Sequence, residues 1–372
     1  MNKEMSISTY LYRKAGQRKI PLGGTFELTP LCNLSCRMCY VRMTARQVRD
    51  SGGLLTVEDW LRLADEARRL GTLYLLITGG EPFVYPGFDE LYPQLIERGF
   101  IISVNTNGTL IDEKRVSFLA AKPPARVNIT LYGASAQTYQ SLCGDGSCYE
   151  RAVAAIKRLT AAGVKVRINA TFTQYNIHDR EAIYEFADSL KLPVSEAVYM
   201  FPPVRRDEAA LERFSRLDPE YAGDLIFDRL RRTTDEAKLL RRCNAAAAQL
   251  ASAVGTTVLP PVGQPMKCRA GHAAFWITYN GQMRACGMMP LPTADAVTSG
   301  FEKSWHMIVT ETEKITLAKE CSACIYKEYC TICAAMAYCE TGKFDKIPKY
   351  TCKMTQSVVN NYLRSSERSR CL

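Results

Sequence analysis

The chain has 372 residues, 47% hydrophobic and 23% charged, which is enough to bury a sizeable core and ordinary for a globular protein. No apolar run approaches the roughly 18 residues of a membrane span, and Met1–Tyr10 has no apolar core of the signal-peptide kind, so a helical membrane protein is excluded and a cytoplasmic location is predicted. The net charge of +10 is scattered (Arg68 with Arg69, Arg231 with Arg232, Arg241 with Arg242), not interleaved with aromatics, which argues against nucleic acid and leaves a solvated basic surface or an acidic peptide partner.

Residues 24–31 read as a first strand, and Cys32, Cys36 and Cys39 follow directly in a C-x3-C-x2-C run. Three thiolates this close can hold three irons of a [4Fe–4S] cluster and leave the fourth open to a ligand, whereas an electron-carrying cubane uses four cysteines. The alternatives are a zinc site or unlinked core thiols. Three cysteines in eight residues with no nearby His suit a closed zinc site poorly. The chain has fifteen cysteines, and a reducing compartment disfavours structural disulfides, so clustered thiols there point to metal or redox chemistry.

Thr56 and Asp59 have capping-box spacing, and Val57, Trp60, Leu61, Ala64, Ala67 and Leu70 follow at helical intervals. Strands are then predicted at 73–78, 100–106, 126–132, 164–173 and 195–200, separated by helices at about 87–98, 112–121, 148–162 and 179–190. The strands read as buried on both faces. Six such units are too few for a closed eight-unit barrel, and chemistry is expected at the C-terminal ends of the strands. The loops there carry Gly79-Gly80-Glu81-Pro82, Asn105-Thr106-Asn107-Gly108 and Thr130-Leu131-Tyr132-Gly133. Glycines admit a ligand close to the backbone, and a carboxylate can accept from an ammonium. Residues 207–254 read as helices, and 254–265, with Pro260, Pro261 and Pro265, as a break. Cysteines return at Cys268, Cys286, Cys321, Cys324, Cys330, Cys333 and Cys352.

The C-x3-C-x2-C run resembles the signature of radical S-adenosylmethionine (radical SAM) enzymes, and Gly79–Pro82 and Thr106–Gly108 resemble the family's GGEP and TNG segments. The resemblance implies a fold: α/β, a partial (β/α)6 TIM barrel. It implies that SAM binds the open iron and is cleaved by one electron to a 5′-deoxyadenosyl radical that abstracts hydrogen from substrate. Cys32, Cys36 and Cys39 would hold the cluster. Met38, Tyr40, Gly79, Gly80, Glu81, Thr106, Asn107, Thr130, Asn169 and Met200 would line the cofactor. The later cysteines resemble the SPASM extension: twelve residues separate Cys268 from Gly281 and four separate Gly281 from Cys286. The pattern departs between Cys330 and Cys333, where two residues stand in place of three. SPASM domains usually carry two auxiliary [4Fe–4S] clusters. Carried over, Cys321, Cys324, Cys330 and Cys352 would ligate one, and Cys268, Cys286 and Cys333 the other, with His272 or Cys339 as possible completing ligands. The domains implied are an N-terminal segment 1–23, a radical SAM core 24–206, a helical linker 207–265 and a cysteine-rich SPASM domain 266–372.

The resemblance points to an oxidoreductase that modifies a ribosomally made peptide, forming a thioether or carbon–carbon crosslink. It would work with a separate recognition protein or by direct binding, and with an electron donor such as a flavodoxin or ferredoxin. No nucleic-acid or membrane partner is expected. A sulfatase-type formylglycine maturase and a small-molecule radical SAM dehydrogenase are the alternatives. For the former, Gly287 stands after Cys286 where those enzymes place an Asp. The catalytic residue stays unknown, with Cys143 a hydrogen-donor candidate among Cys143, Cys148, Cys243, Cys339 and Cys371. Tyr132, Tyr199 and Arg205 are candidate substrate-facing groups.

Overall fold

The structure is a computed structural model and describes residues 6–202, 215–252 and 262–370, so Arg205 and Cys371 lie outside the described residues. The chain divides into two compact units: Met1–Ser215 with Cys268–Glu313, and Arg216–Lys267 with Lys314–Leu372.

The first unit opens with α1 (Ile7–Arg18) and β1 (Gly23–Glu27). There follow α2 (Ala45–Asp50), α3 (Val57–Arg69), β2 (Tyr74–Thr78), α4 (Phe88–Glu97), β3 (Ile101–Thr106), α5 (Glu113–Ala121) and β4 (Arg126–Thr130). After α6 (Ala136–Cys143) and α7 (Cys148–Ala161) come β5 (Val166–Thr171), α8 (Arg180–Ser189) and β6 (Val194–Ala197). Strands β1 to β6 are parallel neighbours in sequence order, the pattern of a partial (β/α)6 barrel. The sheet does not stop at β1. Strand β7 (Ala274–Ile277) pairs parallel to it, and β8 (Gln282–Arg284) and β9 (Thr293–Asp295) continue antiparallel. Helix α11 (Phe301–Glu313), which follows α9 (Pro219–Thr233) and α10 (Glu236–Ser252) of the second unit in the chain, packs Phe301 and Trp305 edge-on to Phe275.

Strand β1 is buried on both faces, but β3, β4 and β5 alternate and are not. Ile102 and Val104, Val127 and Ile129, and Val166 and Ile168 are buried, while Ser103, Asn105, Asn128, Thr130, Arg167 and Asn169 between them are half-exposed. The buried set meets the helices: Phe26 packs on Trp60 of α3 with ring centroids 4.7 Å apart, and both are fully buried. Each such apolar side chain removed from water contributes about 1.5–3 kcal/mol. The other face lies where a closed barrel would be filled by interlocking layers. Here it stays polar, with Asn128 Nδ2 donating to Asn105 Oδ1 at 2.8 Å. The Thr56–Asp59 capping box of α3 is formed in both directions.

In the second unit, α9 (Pro219–Thr233) and α10 (Glu236–Ser252) lie against α14 (Lys349–Arg370). Phe227, Cys243, Ala246, Val358 and Tyr362 form its core. Short helices α12 (Lys319–Ser322) and α13 (Ala334–Thr341) bracket the late cysteines, and Arg216 Nη2 pairs with Glu340 at 2.9 Å. Among the described residues no helix is long and apolar enough to cross a membrane.

Candidate active site

The cysteine loop leaves β1 at its C-terminal end and is held by its neighbours. Gly80 N donates to Thr29 O at 2.7 Å and Glu81 N to Leu31 O at 2.9 Å. A Cβ on Gly79 would stand 2.4 Å from Thr29 O, and one on Gly80 2.4 Å from Leu31 O, so this approach of two backbones requires glycine at both positions. With those N–H groups engaged, the Gly79 and Gly80 carbonyls accept no hydrogen bond among the described residues, and both glycines are half-exposed. Acceptors of this kind suit an ammonium group.

Glu81 does something other than face a ligand. Its side chain is fully buried; Oε1 accepts from Thr106 Oγ1 at 2.8 Å and Phe83 N at 3.2 Å, and Oε2 accepts from Asn107 N at 2.8 Å. Burial pushes its carboxyl up to about 7, against the pull of those hydrogen bonds. Thr106 and Asn107 thus join the β2 loop to the β3 loop. Asn107 reaches on: its Nδ2 donates to Asn33 Oδ1 at 2.9 Å and lies 3.7 Å from Cys32 Sγ, and its Oδ1 accepts from Thr109 N and Thr109 Oγ1. Asn33 Nδ2 donates back to Thr109 Oγ1 at 2.8 Å. Asn33 and Thr109 were not singled out from sequence; their signal is the polar pair Cys32-Asn33 facing Thr106-Asn107-Gly108-Thr109.

The three thiols lie within electrostatic reach of one another, and burial pushes the Cys32 thiol up to about 12. Leu34 N donates to Cys32 Sγ at 3.4 Å and Arg42 N to Cys39 Sγ at 3.3 Å. Cys36 is buried, with Cys143 and Tyr132 as neighbours from outside the loop. The neighbouring Cys143 is the chief cause that holds the Cys36 thiol low, and Cys36, with burial, pushes Cys143 high. Ser35 N donates to Cys143 O at 3.1 Å and Arg37 N to Leu142 O at 2.9 Å, so the C-terminal end of α6 is laced to the loop on both sides of Cys36.

Of the other expected cofactor residues, Thr130 and Asn169 stand opposite each other across β4 and β5, and Asn169 opposite Ser195 on β6, on the polar face at the strands' C-terminal ends. Met38 is buried within the motif and Tyr40 is half-exposed beside it. Met200 lies past the end of β6, buried, its sulfur 4.0 Å from Ser215 Oγ. The loops after β4 and β5 are tied by buried Asn176, a residue sequence reasoning missed: its Nδ2 donates to Tyr132 O and Thr171 O while its Oδ1 accepts from Thr173 N. Tyr199 packs edge-on to Phe201.

The late cysteines divide between the units. Cys268 and Cys286 belong to the first. Cys286 accepts from Met288 N at 3.4 Å just beyond β8, and His272 turns its Nδ1 to Ala270 O. Cys321, Cys324, Cys330 and Cys352 come together in the second: burial, with Cys352, Cys330 and Cys324 nearby, pushes the Cys321 thiol up to about 11. Cys333 caps α13, accepting from Met336 N, and Cys339 lies on that helix.

Among the described residues, no three His, Cys, Asp or Glu converge to hold a single metal ion. A cubane takes each thiolate on a different iron. The donor set, all sulfur at Cys32, Cys36 and Cys39 with amide N–H groups aimed at two of the sulfurs, fits an iron–sulfur cluster.

Residues 26–187 match the radical SAM superfamily. The chain is similar to the AdoMet-dependent heme synthase of Methanosarcina barkeri, 24% identical over 328 residues that cover 86% of this chain and 93% of that one. It is also similar to the mycofactocin maturase MftC of Mycobacterium tuberculosis, 27% identical over 327 residues that cover 83% and 77%. In fold it resembles Streptococcus suis SuiB bound to S-adenosylmethionine, with a TM-score of 0.63 and 17% identity over 95% of this chain and 82% of that one. The superfamily implies a [4Fe–4S] cluster and SAM, and it is a radical SAM domain that residues 26–187 of this chain form.

Proposed function

We propose that this radical SAM enzyme is an oxidoreductase acting on a ribosomally made peptide, in which it forms a thioether or carbon–carbon crosslink. The observation that carries it is the assembly, at one end of an open parallel sheet, of the Cys32–Cys36–Cys39 loop, the free Gly79 and Gly80 carbonyls and a half-exposed polar face. When bound, the cluster and SAM supply a carbon-centred radical able to abstract hydrogen from an unactivated carbon. Cys32, Cys36 and Cys39 hold the cluster; Gly79 and Gly80 orient the SAM ammonium; Thr130 and Asn169 offer hydrogen bonds beside it; Met38, Tyr40 and Met200 contribute apolar and aromatic walls. Glu81, Thr106 and Asn107 keep these loops in register.

A peptide substrate is supported by the maturase among the relatives, by likeness in fold to SuiB, which has been solved bound to its precursor peptide, and by the +10 charge, which would steer an acidic leader. The late cysteines support two auxiliary clusters. Cys321, Cys324, Cys330 and Cys352 would hold one; Cys268, Cys286 and Cys333 are the candidate ligands of the other. An electron donor of the flavodoxin or ferredoxin class and a separate recognition protein complete the proposal.

One observation favours a second substrate class: a relative matched over 86% of this chain and 93% of its own is a heme synthase, so an iron tetrapyrrole is the competing substrate. Anaerobic reconstitution separates the cases. The holoenzyme with reductant is expected to bind roughly twelve irons and cleave SAM, and a Cys32/Cys36/Cys39→Ala variant to lose a third of the iron and all SAM cleavage. Offered the peptide encoded beside its gene, the enzyme should remove hydrogen from it, read as a mass loss. No change in that peptide, with conversion of an iron tetrapyrrole instead, overturns the peptide assignment.

A further inference from the structure

The polar face of the sheet carries two cations that the cofactor site does not use. Arg126 opens β4 opposite Ser103 of β3, and Arg167 stands on β5 opposite Asn128. Side chains alternate along a strand. Val127, Ile129, Val166 and Ile168 are buried, so both arginines share the half-exposed face of Thr130 and Asn169. Arg167 lies two residues before Asn169 and Arg126 four before Thr130, about 7 and 13 Å below them at the usual strand rise. Among the described residues, no hydrogen bond or ion pair engages either guanidinium. The one acid on this face of β1 to β6 is Glu27, which accepts from Trp276 Nε1 at 2.8 Å. Glu196 of β6 faces the other way and pairs with Arg180 at 2.9 Å. Arg126 Nε is buried without a partner, and so is Asn128 Oδ1. Buried polar atoms of this kind are uncommon and call for something to complete them. Burial, and then the neighbouring charge of Arg167, lowers the Arg126 pKa, as expected of like charges with no counter-ion between them.

We propose that Arg126 and Arg167 form a subsite for a carboxylate of the substrate: in the peptide, an acidic side chain or the C-terminal carboxylate close to the residue that is modified. This rests on the peptide reading under Proposed function. A guanidinium fork takes both oxygens of a carboxylate in parallel N–H···O bonds, which fixes orientation as well as affinity. The position on the strands gives the subsite its use. Thr130 and Asn169 mark the level proposed for the cofactor, and Arg167 lies about 7 Å below it, the span of two residues of extended peptide. A carboxylate anchored there holds a neighbouring residue up to the radical. The carboxylate of SAM itself is the competing occupant, because it too binds near that level.

The test is a calorimetric titration of the peptide encoded beside the gene into the SAM-loaded holoenzyme without reductant, so that binding is read with no turnover. Arg167→Gln and Arg126→Gln should each raise the peptide Kd about ten- to hundredfold, the effect of losing one charged hydrogen-bonded pair. Arg167→Lys, which keeps the charge without the fork, should lose less. The peptide is altered in parallel, each Asp and Glu to Asn or Gln in turn, and its C-terminus amidated. The change that removes the bound carboxylate should weaken wild-type binding by a similar factor and have no further effect in Arg167→Gln. Wild-type binding that none of these changes weakens overturns the subsite, whether or not the arginine variants fold. Losses that simply add in the combined variants overturn it as well. A rise in the Kd for SAM, with that for the peptide unchanged, gives the arginines to the SAM carboxylate and also overturns it. If wild type neither binds the peptide nor removes hydrogen from it, the peptide reading itself fails. Binding of an iron tetrapyrrole that weakens in Arg167→Gln then overturns the peptide as occupant.

Discussion

Glu81 carries three accepted hydrogen bonds with no exposed surface, and the cost of burying its charge still lifts its carboxyl from 4.5 to about 7. The folded state therefore binds this proton more tightly than the unfolded chain. The resulting stability is complete below the unfolded value of 4.5 and is lost as pH rises through about 7. Between pH 5 and pH 8, the urea-unfolding free energy of wild type should fall by about 2–3 kcal/mol relative to that of Glu81→Gln. A gap that does not change with pH would mean that the hydrogen bonds outweigh burial. Glu81→Ala leaves Thr106 Oγ1, Asn107 N and Phe83 N without their acceptor and should cost roughly 2–4 kcal/mol at either pH. At this scale the sequence was partly legible. Gly79-Gly80-Glu81-Pro82 stands out as four unusual residues at a strand end. That the glutamate braces the loop while the glycine carbonyls stay open follows from Thr106 and Asn107, which lie on another strand. Cys143 beside Cys36 was equally out of reach, because it depends on how α6 docks.

At the scale of elements, α3 could be read directly: a local capping box and a helical apolar stripe specify it without help from the rest of the chain. Strands β1 to β6 were legible in number and order, since a parallel βα pattern repeats along the sequence. Their inner face was not, because half-buried Asn105, Asn128 and Asn169 follow from an open sheet, a property of the assembly. The β7–β8 hairpin, which completes the sheet beside β1, turns at Gly281 with φ +83°, where a Cβ would come 2.4 Å from Val297 Cγ2. Gly52 has φ +98° with nothing within 4 Å. Gly52→Ala should cost about 1 kcal/mol for backbone strain alone, and Gly281→Ala about 2–3 kcal/mol. Equal losses of stability on chemical denaturation would show that Val297 yields freely and that the hairpin is not tightly seated.

Across the whole molecule, the cysteine field spreads over two compact units, and the quartet Cys321, Cys324, Cys330 and Cys352 gathers within one of them. On the proposed assignment, Cys352→Ser should lower bound iron by about a third while SAM cleavage continues, with product formation lost. Loss of SAM cleavage as well would tie that cluster to the first step of the reaction. Parallel iron assay and product chromatography read both outcomes. The grouping of the quartet was visible in its spacing. The order in which the two units share the chain was not, since nothing local in residues 268–313 announces that β7 belongs with β1.

That shared order has a consequence for how the polypeptide can be made and cut. The second unit is built from 216–267 and 314–372, so its two halves leave the ribosome with a piece of the other unit between them. Helices α9 and α10 must wait for α14 before Phe227, Cys243 and Ala246 are covered. A stop codon after Glu313 would therefore not yield a tidy catalytic fragment. It would strand an apolar helix pair in water, and such a product should aggregate during synthesis unless α9 and α10 are excised with α14.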